Sequence, residues 1–293
     1  MKNVVIIVAV LLCTGATSLA WNQPQDQQTS PAGRSPGVSA NDVADANNPL
    51  SSSDSLSFQN NYDPTLYGVS GVSSNTFFLR GVAVSGRQII RLTLPVSTVP
   101  AGRSTIDLPG GGSIPDVALP IGPAFYRAGL GDASIFDSIL LTSPEARTLV
   151  AIGPQFVAPT ATNSSLGAGK WQAGAAAIVV HPLGAGSVLG ALVTWQHDFA
   201  GDKDRPGTNA GALQPFVTTS IGGGYYLKST AIWALDFKNN LYLIPIGLGV
   251  GKVFRLENAI ANASFEPQFA VYHKGQGLPV VQLVFGLALQ WKR

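Results

Sequence analysis

The last strand-length segment of the chain alternates between large apolar residues and small or polar ones. From Val281 to Trp291 the odd-numbered positions hold Val, Leu, Phe, Leu, Leu and Trp, whereas the even-numbered positions hold Gln, Val, Gly, Ala and Gln. A period of two places these two sets on opposite faces of a β-strand. The large face points into a core in a soluble sandwich, but it points to lipid in an outer-membrane barrel.

Composition favours the barrel over the sandwich. Charged residues make up only 12% of the chain and the mean hydropathy is +0.23. Yet no apolar run after Ala20 is long enough for a transmembrane helix. High hydropathy without helical spans predicts an all-β, antiparallel transmembrane β-barrel. The net charge of +2 gives no reason to expect nucleic acid as a partner.

The start of the chain has the pattern of an export signal. Lys2 precedes an apolar run at 4–12, and Ser18-Leu19-Ala20 is a small-x-small cleavage site. This pattern predicts a Sec signal peptide over residues 1–20. Cleavage after Ala20 would remove Cys13 and leave a mature chain without cysteine. A lipoprotein is disfavoured because the large Leu12 precedes that cysteine.

The mature chain divides into a polar leader and a barrel. Residues 21–54 are rich in Gln, Ser, Asn, Asp, Pro and Gly, so we expect a disordered leader without apolar anchors. The barrel is predicted over 55–293. Its segment 98–125 contains five large apolar residues, and we expect it to pack partly into the barrel mouth.

Turn chemistry divides the barrel into about twelve strands, within the range of bacterial barrels. Short connections alternate with longer ones, as periplasmic turns alternate with extracellular loops. The predicted strands are 55–62, 75–85, 88–97, 127–142, 147–159, 169–181, 187–199, 211–221, 224–237, 241–254, 259–273 and 278–291.

Several blocks occur in the order that one bacterial family shows. They are Ser57–Asp63 (SFQNNYD), Gly129–Asp132 (GLGD), Gly153–Thr162 (GPQFVAPTAT), Leu166–Trp171 (LGAGKW), Phe199–Asp202 (FAGD) and Leu213–Phe216 (LQPF). The chain thereby resembles outer-membrane proteins linked to the phenol meta-cleavage pathway, which are often mislabelled neuromedin U. The resemblance implies an outer-membrane barrel that passes small compounds, with hydrophobic or aromatic ones as candidates. It implies no catalytic residue.

Two sets of side chains are candidates for function. Charged residues on the minor face of strands are expected to line the lumen, because a charge facing lipid is costly. These are Arg80, Arg91, Asp132, Asp137, Lys228, Asp236 and Glu266. Tryptophans near strand ends are expected to form the aromatic girdle at the membrane surface. These are Trp171, Trp195, Trp233 and Trp291.

The preferred function is passive passage of small solutes across the outer membrane of a Gram-negative bacterium. One alternative is a closed structural or adhesive barrel. The other is a lipid-modifying barrel enzyme, for which His197 beside Asp198 is the best pairing. We expect a non-enzyme without cofactor or metal, because the histidines lie on separate strands.

The expected partners follow from this membrane function. They are outer-membrane lipids, the solutes and the barrel-assembly machinery. The last of these would recognise the terminal strand that ends near Trp291. The sequence leaves the oligomeric state open.

Overall fold

The computed structural model describes residues 37–102 and 125–291, which form one short helix and one antiparallel sheet of fifteen strands. The elements are α1 (Ala40–Ala46), β1 (Asp54–Leu66), β2 (Ser74–Ser85), β3 (Gln88–Gly102), β4 (Phe125–Leu130), β5 (Ala133–Leu140), β6 (Leu149–Ala158), β7 (Lys170–Gly184), β8 (Ser187–Gly201), β9 (Asn209–Gly222), β10 (Tyr225–Ser229), β11 (Trp233–Asp236), β12 (Leu241–Gly247), β13 (Gly249–Arg255), β14 (Ile260–Lys274) and β15 (Pro279–Trp291).

The sheet closes on itself, because β1 pairs with β15 as well as with β2. Three pairs of strands, β4 with β5, β10 with β11 and β12 with β13, each make up one interrupted strand of the wall. We call each full-length wall strand a stave. The described chain therefore forms a closed barrel of twelve staves, and every predicted strand overlaps one stave. The predicted fold class is confirmed.

The two faces of β15 are as the alternation predicts. Leu287 points outward and is 48% exposed, whereas Val284 points into the lumen and is 6% exposed. Gln282, on the same face as Val284, donates a hydrogen bond to Asp63 at 3.1 Å. Large apolar residues on the outside match a lipid-facing band. In the described part of the chain, no helix has the length and apolarity to span a membrane.

The two ends of the barrel differ. At one, which we call the turn end, short connections join β2 to β3, β7 to β8 and β9 to β10. At the other, the loop end, longer connections include 159–169 and 202–208. Most of the predicted inward-packing loop, 103–124, lies outside the described residues. So do residues 1–36, with the predicted signal peptide and the first part of the leader.

The second part of the predicted leader is ordered, which corrects the expectation for residues 37–54. Ser39 begins α1 with a capping box, in which its hydroxyl accepts from the Asp42 backbone N–H. Val43 is fully buried with Tyr226 and Val253 of the barrel wall. The buried residues of α1, Val43 and Ala46, are three positions apart on one side of the helix, which composition alone does not reveal.

Polar contacts fix α1 inside the turn end. The Gln290 side chain donates to the Ala46 carbonyl at 3.0 Å, and Asn262 donates to the same carbonyl at 3.3 Å. Asp42 forms a salt bridge with Arg255 at the end of β13. Partial burial opposes ionisation of Asp42, but hydrogen bonds from Ser39 and Arg255 outweigh it and lower the pKa of this carboxyl.

Candidate functional site: a basic chamber in the lumen

The lumen contains a chamber of about 460 Å³ directly above α1. Residues 46–49 form its floor, and inward-facing side chains of β1, β2, β3 and β5 to β10 form most of its wall. Staves supply these side chains at every second position, so a rigid sheet fixes the chamber. Its volume is that of a site for a small molecule.

Positive charge dominates this chamber. Arg80 on β2, Arg91 on β3 and Lys228 on β10 are among its lining residues. None of the described residues that line it has a carboxylate. Charged groups on the wall of a narrow, low-dielectric lumen act strongly on any ion inside it. The chamber is therefore an electropositive compartment.

The two arginines lie together on one wall. Val82 is opposite Arg91 in the β2–β3 ladder and Thr93 is opposite Arg80, so the guanidinium groups are diagonal neighbours on the lumen face. Arg80 donates to Gln59 at 2.8 Å. Arg91 lies over the Phe136 ring at 4.2 Å. Neither arginine forms an ion pair within residues 37–102 and 125–291.

Lys228 faces the arginines from the opposite wall, since five staves lie between β3 and β10 in either direction around the barrel. Its ammonium lies 3.6 Å from Glu266, which is completely buried behind it on β14. Glu266 also accepts hydrogen bonds from the backbone N–H and the hydroxyl of Thr230, at 2.8 and 2.5 Å. The charge of Lys228 is therefore offset within the wall.

Glu266 occupies an interruption of the sheet. The β10–β13 ladder ends at Lys228 opposite Gly249, and the β11–β12 ladder starts only at Ala234 opposite Leu243. A Cβ at Gly249 would lie 2.6 Å from the Glu266 Cβ, so only glycine leaves room for this side chain. Gly249 thus has a specific packing role in this part of the wall.

Polar amides and apolar residues share the remaining wall. Gln155 and Gln196 are hydrogen-bonded to each other, and Gln196 donates to Gln172 at 2.8 Å. Next to this amide row, Leu192 and Phe216 face the chamber from β8 and β9. The chamber thus joins a basic side, an amide row and an apolar side. These amides were not among the predicted lumen residues, although glutamine on the minor face of a strand is a signal for the lumen face.

Three other predicted lumen charges lie away from the chamber. Asp132 accepts hydrogen bonds from the backbone N–H groups of Ala161 and Ala168, so it anchors the 159–169 loop. Asp236 accepts from two backbone N–H groups of the β11–β12 turn. Asp137 is a correction: it pairs with the outward-facing Ile90, so it lies on the outer face.

The outer position of Asp137 follows from the alternation along β5, in which Ile135 and Ile139 also point outward. Gln88 donates to Asp137 at 2.7 Å on the same outer face. The hydrogen bond from the Gln88 amide lowers the free-energy cost of placing the Asp137 carboxylate on the outer face. The sequence-based prediction placed this residue inside because its charge, and not its parity with Ile135 and Ile139, was taken as the sign of the lumen face.

The four tryptophans occupy outward positions toward the ends of their staves. Trp171 and Trp195 are each 48% exposed, and the Trp195 indole donates to Asn209 at 2.9 Å. Trp233 donates to the Pro245 carbonyl at 3.2 Å, across the sheet interruption. Trp291 lies at the turn end. A girdle role for these side chains remains a prediction.

The histidines lie apart, on three different staves. The ring of His197 contacts the backbone carbonyl of Asp198 rather than a carboxylate. His181 contacts the Thr148 hydroxyl at 2.8 Å, and His273 stacks on Tyr67. Among the described residues, no group of three or more metal-ligating side chains comes together.

These features define a closed transmembrane β-barrel whose lumen holds a basic chamber above an N-terminal helix. The COG4313 outer membrane channel from Pseudomonas putida F1 aligns with a TM-score of 0.54 and 12% identity, over 82% of this chain and 94% of that one. At this identity the likeness concerns the fold.

Two further structures align less closely. The KdgM porin in complex with disordered oligogalacturonate has a TM-score of 0.40 at 7% identity, covering 82% of this chain and 99% of that one. A Pseudomonas aeruginosa FadL homologue has a TM-score of 0.40 at 11% identity, covering 85% and 93%. No protein-family model and no curated protein matches the chain.

Proposed function

We propose that this protein is an outer-membrane channel through which small solutes pass passively by way of the chamber. The observation that supports the proposal is a compartment of about 460 Å³, lined by both polar and apolar side chains, within a closed, lipid-compatible barrel. A barrel that served only as a scaffold would gain stability by filling this space with apolar side chains. The resemblance to channel proteins agrees with this reading.

In this proposal, α1 is a stopper at the turn end. A solute that leaves the chamber in that direction has to displace residues 46–49, which form its floor. The helix has only seven residues and depends on packing and polar contacts with the wall for its order. Its movement therefore requires no change in the barrel.

The docking of α1 also favours a second candidate, a permanently closed structural barrel. Val43 and Ala46 are buried against the wall, and Leu50 belongs to a further buried cluster with Ile89 and Phe136. If this packing never opens, the barrel conducts nothing. Conductance separates the two candidates.

Planar-bilayer recordings test the proposal. We would compare the mature chain with a variant lacking residues 22–53, which has no α1, and with a matched deletion of 22–36, which retains α1. We expect both variants to fold, as shown by heat-modifiable migration on gels, because the barrel hydrogen bonds lie outside the deleted segments. The 22–53 deletion should give larger or more frequent conductance steps than the mature chain. The 22–36 deletion should behave like the mature chain.

If the folded 22–53 deletion gives no conductance steps, the passage function is wrong and the closed barrel is the better account. The preference for hydrophobic or aromatic solutes, and the link to the phenol pathway, are part of the proposal. So are the Sec signal peptide, outer-membrane lipids as surroundings and recognition of β15 by barrel-assembly machinery. Cell fractionation of a Trp291→Ala variant, compared with Trp171→Ala, tests the last of these.

A further inference from the structure

Within residues 37–102 and 125–291, the arginine side of the chamber has positive charges without counterions. Arg80 and Arg91 are diagonal neighbours, close enough to repel each other. The Nε of Arg91 is buried and has no hydrogen-bond partner in the described residues. Two cations held together in a protein wall cost free energy unless an anion or water compensates them. The opposite wall, where Glu266 offsets Lys228, shows that this fold can supply an internal counterion.

Hydroxyl groups extend the arginine side into a row of hydrogen-bond donors. Ser57 is opposite Arg80, Arg80 is opposite Thr93, and Thr93 is opposite Ser134. All four side chains line the chamber. Guanidinium and hydroxyl groups in one row match the planar, two-oxygen geometry of a carboxylate.

The far side of the chamber is suited to an apolar body. Ile178, Leu192 and Phe216 line it from three adjacent staves, β7, β8 and β9. A ligand whose charge lies between the arginines would place the rest of its mass toward these side chains or the amide row. An inorganic anion would leave the apolar side unused, and a neutral solute would leave the arginines uncompensated.

We infer that the chamber is a binding site for small organic monocarboxylates, with the carboxylate between Arg80 and Arg91 and the apolar body toward Leu192 and Phe216. The inference deepens the proposed function, on which it rests for the role of the chamber as the solute route. It assigns anionic rather than neutral solutes to that route.

Isothermal titration calorimetry on the mature chain, folded in detergent, tests the inference without any need for conductance. The probes are benzoate, acetate, inorganic phosphate and benzyl alcohol. We expect benzoate to bind most tightly, because it alone offers both a carboxylate and an apolar ring. Arg91→Met should weaken benzoate binding roughly 10- to 100-fold, the loss expected for hydrogen bonds to a charged group.

Three further variants sharpen the measurement. Arg91→Lys, which retains the charge but loses the two-pronged donor, should give an intermediate affinity. Leu192→Ala should weaken benzoate binding more than acetate binding, because it removes apolar contacts that the benzoate ring makes and that acetate is too small to make. Lys203→Gln removes a positive charge from the exposed 202–208 loop and should leave the affinity unchanged. Heat-modifiable migration on gels shows that each variant is folded.

The inference is overturned if folded Arg91→Met binds benzoate as the unmodified chain does, or if benzyl alcohol binds as tightly as benzoate. Phosphate binding that exceeds benzoate binding would replace the carboxylate assignment with an inorganic anion. Carboxylate binding in a barrel that never conducts would instead refute only the passage function. Conductance without carboxylate binding would refute only this inference.

Discussion

The two walls of the chamber treat a buried cation in opposite ways. We call β2 and β3, with Arg80 and Arg91, the arginine wall, and β10 to β14, with Lys228 and Glu266, the lysine wall. The arginine wall has an unbroken β2–β3 ladder and no counterion within the described residues. The lysine wall has an interrupted ladder, and Glu266 fills the interruption.

The difference separates structural charge from functional charge. Glu266 replaces missing ladder bonds by accepting from Thr230, and it neutralises Lys228 at the same time. Loss of the Glu266 carboxylate should therefore destabilise this wall. The arginines satisfy no backbone group among the described residues, so their loss should change what the lumen attracts rather than whether the barrel forms.

The largest expected effect is on the lysine wall. Glu266→Leu should lower the free energy of unfolding by about 3–5 kcal/mol, because it leaves the buried charge of Lys228 without a counterion and the Thr230 N–H without an acceptor. Arg91→Leu should change it by no more than about 1 kcal/mol, since the lost ring contact is balanced by relief of like-charge repulsion. Urea unfolding in liposomes measures both. Equal losses would show that the two walls do not differ.

A matched pair of glycines provides the second comparison. A Cβ at Gly249 would crowd Glu266, whereas a Cβ at Gly81 on β2 meets no atom within 4 Å. Gly249→Ala should destabilise the barrel by about 1–3 kcal/mol through overpacking. Gly81→Ala should stay within about 0.5 kcal/mol of the unmodified chain. Urea unfolding in liposomes measures both variants. If Gly249→Ala has no more effect than Gly81→Ala, Glu266 has more room than the wall geometry indicates.

A third prediction concerns ion preference. Arg91→Glu reverses the charge of one lining side chain, so the variant should favour cations by roughly a few-fold more than the unmodified chain. Reversal potentials under a KCl gradient, recorded in the background that lacks residues 22–53, measure the shift. Lys252→Gln removes a positive charge that faces outward and should leave the potential unchanged. No difference between the two would place the arginines outside the conduction path.

The smallest expected effect is a pH dependence of α1 docking. The pKa of Asp42 is lowered in the folded state, so its stabilising contribution is complete above the normal range of an aspartate. That contribution is lost as the pH falls through the lowered pKa. The open fraction should therefore rise about twofold in strong acid, because partly exposed salt bridges contribute little. Asp42→Asn should conduct at neutral pH as the unmodified chain does in acid.

How far sequence predicts this molecule can be judged from particular elements. The alternation in β15 predicts both the strand and its lipid face, because side chains of a strand point alternately to either side. The prediction fails at Asp137, where the charge was taken as the sign of the lumen face although alternation with Ile135 and Ile139 puts the residue on the outer face. It also passes over α1, although the Ser39-to-Asp42 spacing and the positions of Val43 and Ala46 are those of a short, capped amphipathic helix.

By itself, then, the sequence determined the fold class, the staves and the two faces of β15, since these depend on local periodicity and on a composition that excludes helical spans. Tertiary structure alone decided which charges meet. Arg91 and Lys228 are 137 positions apart in the chain, and only closure of β1 on β15 sets them on opposite walls of one chamber. In a closed barrel, the number of strands between two residues sets the angle between them around the barrel axis. No local sequence pattern encodes that number.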